Sequence, residues 1–174
     1  MRMSIDEPVI VTEYDPTWPK LFAAECNRIR IACGPMITRI EHFGSTAVPG
    51  MAAKPIVDLL VGVRSLDAFA PHVPQLERIG YQNFGAVMLV ERLYLRRRGP
   101  PHFNIAVAVD GGSWWRAQLA LRDYLRARPA EALAYANRKR ELFREGVRTF
   151  ESFTKEKAPY LRALLKRSTA WSQS

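Results

Sequence analysis

An α+β fold is expected: a mixed β-sheet flanked by helices, with a helical C-terminal third. Three observations predict it. Apolar runs of strand length alternate with helical periods through residue 109, and one of them, Ile56 to Val63, is almost unbroken; after Ser113 only helical periodicity remains.

Taken in order, Pro8 to Tyr14 places Val9 and Val11 at alternate positions and predicts a short edge strand. Asp15-Pro16-Thr17 offers a helix N-cap followed by proline in the first turn, and the helix runs to Cys33 with Leu21, Phe22, Ile29 and Ile31 among its apolar positions. Gly34-Pro35 stops it, and residues 37–42 follow as a strand. Ala47 to Pro55, broken by Pro49-Gly50, is a shaped loop with at most one helical turn. Ile56 to Val63 carries a single carboxylate in an apolar run, the pattern of a central strand buried on both faces. Ser65 caps a helix to Ile79 that Pro71 and Pro74 should distort. Val87 to Val90, Leu93 to Arg97 and Phe103 to Val109 read as strands, the first two as one bent strand or a hairpin, which gives a sheet of about four strands. Helices over 113–127, 129–148 and 151–170 complete the chain, with Pro129 in the first turn of the second and Gly146 marking its possible end.

The 174 residues, 48% apolar and 25% charged, fit one domain spanning 1–174. No apolar run reaches the length of about 18 residues that a membrane span needs. The N-terminus lacks the apolar stretch of a secretory signal, so a cytoplasmic protein is expected. Cys26 and Cys33 fall on one helix face two turns apart, roughly 10 Å along the axis and too far for a disulfide. The formal charge of +9 is uneven: residues 1–90 hold 8 Lys/Arg against 9 Asp/Glu, residues 91–174 hold 18 against 8. The second half therefore either presents a basic surface to an anion or is a set of solvated basic helices.

Gly44-Ser45 follows a strand, and Asp58 lies thirteen residues beyond Ser45 inside the next one. Nucleotidyltransferases use a layout similar to this: backbone N–H groups and the serine hydroxyl hold phosphates, while strand carboxylates bind divalent metal that stabilises the charge of phosphoryl transfer. A tight turn and one satisfied carboxylate would produce the same short pattern. The longer string is more specific. Val11-Thr12-Glu13-Tyr14-Asp15-Pro16-Thr17-Trp18-Pro19, the run from Glu41 through Phe43-Gly44-Ser45-Thr46-Ala47-Val48-Pro49-Gly50 and Lys54-Pro55-Ile56-Val57-Asp58 to Val63, then Leu121-Arg122-Asp123-Tyr124-Leu125-Arg126 and Phe153 to Tyr160, together resemble the GrpB family over nearly the whole chain. The resemblance implies a nucleotidyltransferase-like fold, and in some bacteria a domain like this is fused to dephospho-CoA kinase. It implies no settled general activity.

Two departures matter. A second acid belongs two residues after the first, on the same strand face, and here that position is Leu60. Relatives show His-Leu-His in the later strand where this chain has His102-Phe103-Asn104, and an asparagine neither gives nor takes a proton near neutral pH.

The candidate catalytic residues are Asp58, His102 and Asn104, with Asp58 also the metal ligand. Strand alternation puts His102 and Asn104 on one face, predicted to converge with Ser45 and Asp58 on a single cleft. Ligand-binding candidates are His42, Gly44, Ser45, Lys54, Arg98, Arg122 and Lys157. For His42 the alternative is a histidine bonded to a loop; for Lys54, a capping contact; for Lys157, an exposed helix lysine. Arg96, Arg97 and Arg98 cannot all serve one pocket, because alternation sends one opposite to its neighbours, and Arg122 and Arg126, at i and i+4, suit an anion or ordinary ion pairs. Trp114 and Trp115 are expected to pack in a core.

The expected partner is a nucleotide or other anionic small molecule, handled by a transferase. The alternative is an accessory or binding domain that kept the fold without two-metal chemistry. Nucleic acid is not the expected partner, since no recognised motif accompanies the charge. Magnesium, if a cofactor, should bind weakly, because one strand carboxylate offers too few oxygens unless Glu41, Glu91 or a substrate phosphate completes the set.

Overall fold

The computed structural model describes residues 4–86 and 90–173. Among them, five strands form one mixed sheet in the order β1-β2-β5-β4-β3: β1 Arg39–Phe43, β2 Ile56–Val63, β3 Gln82–Asn83, β4 Arg92–Arg97 and β5 His102–Val109. β2 and β5 pair in parallel and every other pair is antiparallel. The extra strand over the expected four is β3, whose two residues are too short to show a period. The strand expected at Val87 to Val90 falls mostly on residues 87–89, outside the described residues; Val90 itself lies in a turn and is exposed.

β2 is central and buried on both faces, as its apolar run predicts. Its odd-numbered side chains, Val57, Leu59, Val61 and Val63, join Phe103, Ile105 and Val107 of β5 in the main core. Covering this face are α1 (Trp18–Cys33), α2 (Leu66–Phe69) and α3 (Val73–Arg78). Asp15 Oδ1 accepts from the Thr17 backbone N–H at 2.8 Å and from its hydroxyl at 2.7 Å, an Asx turn that opens α1. Ile29 is buried, but Ile31, expected on the apolar face, is 85% exposed. Two residues turn a helix by about 200°, so both cannot face the sheet. The Ser65 hydroxyl accepts from the Ala68 N–H and caps α2, and the predicted distortion is a 3₁₀ turn at Ala70–His72 separating α2 from α3. Cys26 and Cys33 are free thiols, and burial pushes both pKa values up.

The even-numbered face of β2 (Asp58, Leu60, Gly62) lies under the C-terminal helices α4 (Ser113–Ala127), α5 (Pro129–Arg144) and α6 (Phe150–Ser172). Gly62 makes room for Trp115: a Cβ there would lie 3.0 Å from the indole. Pro8 to Tyr14 is not an edge strand. Pro8 bridges to Thr149 and Thr12 to Ala53 as isolated pairs, so the segment ties the start of α6 to the loop before β2 and joins no sheet. Alternation looked like a strand because the segment is extended; sheet membership needed a neighbouring edge, which the chain trace does not supply.

Candidate functional site

Between the even face of the sheet and the three C-terminal helices lies a cavity of about 610 Å³. Gly44, Ser45, Lys54, Asp58, Asn104, Arg122 and Lys157 all contribute to its wall, together with Arg92 and Lys139. The convergence expected of Ser45, Asp58, His102 and Asn104 thus holds for three of the four. His102 is off the wall: its Nδ1 accepts from the Gly99 N–H at 3.3 Å. It shares the face of Asn104 but sits at the first position of β5, where that face meets the turn and not the cavity.

The turn after β1 explains why glycine stands at 44. Its φ of 69° and ψ of −170° fall in a region essentially reserved for glycine, and a Cβ there would lie 2.6 Å from Asp58 Oδ2. The close approach seats the carboxylate against the turn, and the other oxygen, Oδ1, accepts from Asn104 Nδ2 at 2.8 Å. Asn104 is in turn fixed by Tyr94 Oη at 3.0 Å and Arg98 Nη2 at 2.9 Å, both donating to its Oδ1. Asn104 therefore orients Asp58. Arg98, predicted to bind ligand, stands behind that pair: Glu7 takes it bidentately at 2.7 and 2.8 Å and also takes Arg96 at 2.8 Å. Arg97 points to the opposite face, as alternation required, and meets Glu25 of α1 at 2.7 Å.

His42 is likewise outside the wall. Its Nε2 is 2.9 Å from Thr46 Oγ1 and its ring stacks on Phe22 at 4.8 Å, so it braces the turn. Burial, then Arg126 and Arg122, push its pKa down to about 4, which keeps the imidazole neutral. The depressed value has a stability consequence. Above pH 6.5 both folded and unfolded forms are neutral; as pH falls from 6.5 towards 4 the unfolded chain takes the proton first, and stability is lost by up to about 3 kcal/mol. Urea unfolding across this window should show a shallower decline in His42→Gln than in the parent, and identical declines would exclude the histidine as the cause.

The turn is also held from α4. Arg122 Nη1 donates to the His42 carbonyl at 3.0 Å and to Glu41 Oε2 at 2.8 Å, and Arg126 Nε donates to the Ala47 carbonyl at 2.8 Å. Trp115 is core, as expected, whereas Trp114, one residue earlier and about 100° round the helix, lines the cavity edge-on to Phe43.

Three lysines dominate the electrostatics. Lys139, 3% exposed, donates to Ser45 Oγ at 2.9 Å and to the Ala52 carbonyl at 2.6 Å. Lys54 Nζ sits 4.9 Å from the Phe150 ring centre, and Lys157 Nζ 5.5 Å from that of Phe153; among the described residues neither ammonium donates a hydrogen bond to the protein. Burial, reinforced by Lys157, pushes Lys54 down to about 8 against the pull of Asp58. Burial lowers Lys157 too, and lowers Lys139 strongly with Lys157 and Lys54 adding to it. Burial raises Asp58, against Lys54, Asn104 and Lys157. Lys139 and Arg92 are absent from the residues picked out by sequence. A signal for Lys139 existed: Ala132, Tyr135, Ala136, Lys139 and Leu142 are one helical stripe, with a lysine inside it.

These donors do not fit a two-metal centre. Leu60, at the second acid position, is fully buried among Ala106, Ala108 and Trp115. Glu41 is held by Arg122. Among the described residues no cluster of three or more His, Cys, Asp or Glu is placed to hold a metal ion.

Comparison with known proteins agrees with the fold. A UPF0157 protein of Halalkalibacterium halodurans is 36% identical over 166 residues, 93% of this chain and 83% of the relative. A dephospho-CoA kinase of Mycolicibacterium paratuberculosis is 28% identical over 96% of this chain, which spans only 47% of that protein. The crystal structure of the conserved protein GrpB from Enterococcus faecalis superposes with a TM-score of 0.87 at 30% identity, covering 95% of this chain and all of that one. Terminal uridylyl transferase 4 from Trypanosoma brucei, with bound dUTP, shares the fold alone: TM-score 0.53 and 15% identity over 78% of this chain and 47% of that one. The fold is therefore nucleotidyltransferase-like. With the sequence model for GrpB protein matching residues 8–167, from the bridge at Pro8 to the last turns of α6, the chain belongs to the GrpB family.

Proposed function

We propose that the cavity binds a small phosphate-bearing anion, a nucleotide or a related metabolite, on a transferase-like scaffold. One observation carries the reading: five cationic side chains and one carboxylate line a single half-buried cleft, and among the described residues only Arg122 of the five is matched by acids of its own. Burying ammonium groups is costly unless something compensates them. A ligand anion would supply the compensation, with the Ser45 hydroxyl and the glycine turn offering further contacts. Apolar side chains make up much of the remaining wall, as is usual for small-molecule sites, and the volume lies in the ordinary range for them.

A specific observation also favours the accessory reading, in which the fold binds without catalysing. The second acid position is filled by a buried leucine in a packed cluster, and the similar dephospho-CoA kinase carries a further stretch of chain as long as this one. Asp58, seated and oriented by Gly44 and Asn104, is the residue on which a catalytic role would turn.

A thermal-shift screen of inorganic phosphate, nucleotides, CoA precursors and uncharged nucleosides tests the proposal. A ligand at a hundred times its dissociation constant adds about 2.7 kcal/mol to the folded state. Phosphate-bearing compounds should raise the melting temperature and nucleosides should not. Stabilisation by nucleosides alone, or by nothing in the screen, would count against an anion site.

A further inference from the structure

In a nucleotidyltransferase site, paired carboxylates hold divalent metal and the metal neutralises the phosphates. Every position that would build such a centre is otherwise engaged here. Asp58 accepts from Asn104 at Oδ1 and lays Oδ2 against Gly44. Leu60 occupies the next position on the same strand face, in an apolar cluster with no room for a solvated acid. Glu41, opposite Leu60 in the β1–β2 register, is paired with Arg122 at 2.8 Å. Lys54, Lys139 and Lys157 share the cavity wall with Asp58, as does Arg92, so a metal dication approaching the carboxylate would meet three ammonium groups and a guanidinium. Two of them, Lys54 and Lys157, rest against aromatic rings and, among the described residues, donate no hydrogen bond to the protein. An ammonium is a point charge with three donors, suited to phosphate oxygens.

We infer that this cavity neutralises a phosphate-bearing ligand with lysine ammoniums in place of divalent metal, Lys54 and Lys157 contacting the phosphate beside Asp58. The inference rests on the anion-binding reading above and goes further by specifying the form of the ligand: the metal-free phosphate, not its magnesium complex. Asp58 then has an unusual part. It is a competitor of the ligand, drawing on the two ammonium groups until phosphate takes its place.

Calorimetric titration of the full chain with ATP and with inorganic pyrophosphate, in EDTA and in saturating magnesium, tests this directly. Affinity should be as tight in EDTA as in magnesium or tighter, since metal on the phosphates screens them from the lysines. Magnesium alone should give no measurable heat. Asp58→Asn keeps an acceptor for Asn104 and the same size beside Gly44; it should bind both probes in EDTA at least as tightly as the parent, because Lys54 and Lys157 lose their competing acid. Binding that appears only with magnesium and disappears in Asp58→Asn would overturn the inference while leaving the anion-binding reading in place. Absence of binding to either probe in both buffers would overturn the two together. The buffer comparison uses the parent protein alone, so the test stands even if the variant fails to fold.

Discussion

Replacing Glu25 with Ala should destabilise the protein by about 3–5 kcal/mol, the usual cost of removing one partner from a buried charge network. Glu25 lies on α1 against the sheet face opposite the cavity and is 2% exposed. Its carboxylate accepts from Arg97 Nη2 at 2.7 Å, from Tyr81 Oη at 2.9 Å and from Arg28 Nη1 at 3.1 Å. Arg97 in turn lies over the Phe103 ring at 4.7 Å, and its Nε is already buried without a partner. Without the carboxylate the guanidinium, which lies over the Phe103 ring and 5.8 Å from the centre of the Tyr81 ring, would lose its acidic partner, and the Tyr81 hydroxyl would lose its acceptor. Chemical denaturation should show a lower midpoint at an unchanged slope. Glu25→Gln keeps one acceptor for Tyr81 and should lose less. A loss for Glu25→Ala of under about 1 kcal/mol would mean that Arg97 reaches water, and that the network is closer to a surface pair than a buried one.

The second large effect has opposite signs in two measurements. Lys157→Met removes a half-buried ammonium that, among the described residues, makes no hydrogen bond to the protein, while keeping a side chain of similar length. The ligand-free protein should be at least as stable as the parent, because the cost of burying that charge is gone. Phosphate affinity should fall roughly ten-fold or more, the loss expected for one charge-assisted contact. A lysine serving only the fold would give the reverse pattern, lower stability with affinity unmoved. The pH dependence of the parent follows the same logic through Lys54. Its folded pKa of about 8 lies below the ordinary 10.5, so the burial cost is fully present below pH 8 and is relieved as pH rises towards 10.5. Across that window the contribution of Lys54 to ligand-free stability rises, while phosphate affinity, full below pH 8, declines as the ammonium is lost. Affinity that stays flat through the window would remove Lys54 from the site.

What the sequence determined by itself is local and periodic. The nearly unbroken run at Ile56 to Val63 predicted a central strand; Ser65, Pro71 and Pro74 dictated a capped and interrupted helix; and alternation alone separated Arg97 from Arg96 and Arg98. The turn at Gly44-Ser45 and the lone acid Asp58, with Leu60 where a second acid belongs, were likewise legible, because each is a matter of residue type at a fixed spacing. Tertiary structure decided everything that depends on which faces meet. It turned Arg98 towards Glu7 and His42 towards Thr46, took His102 to the Gly99 turn, and left the segment at Pro8 to Tyr14 as a tie between loop and helix. It also brought Lys139, ninety-four residues from Ser45, within 2.9 Å of its hydroxyl. The net charge of the C-terminal half could be read from composition, but a count of lysines does not say which of them lose water. Only the packing of α5 and α6 over the sheet turned two of those charges, Lys139 and Lys157, inward beside Lys54 of the first half, and desolvation, not charge alone, is what turns a basic surface into a candidate anion site.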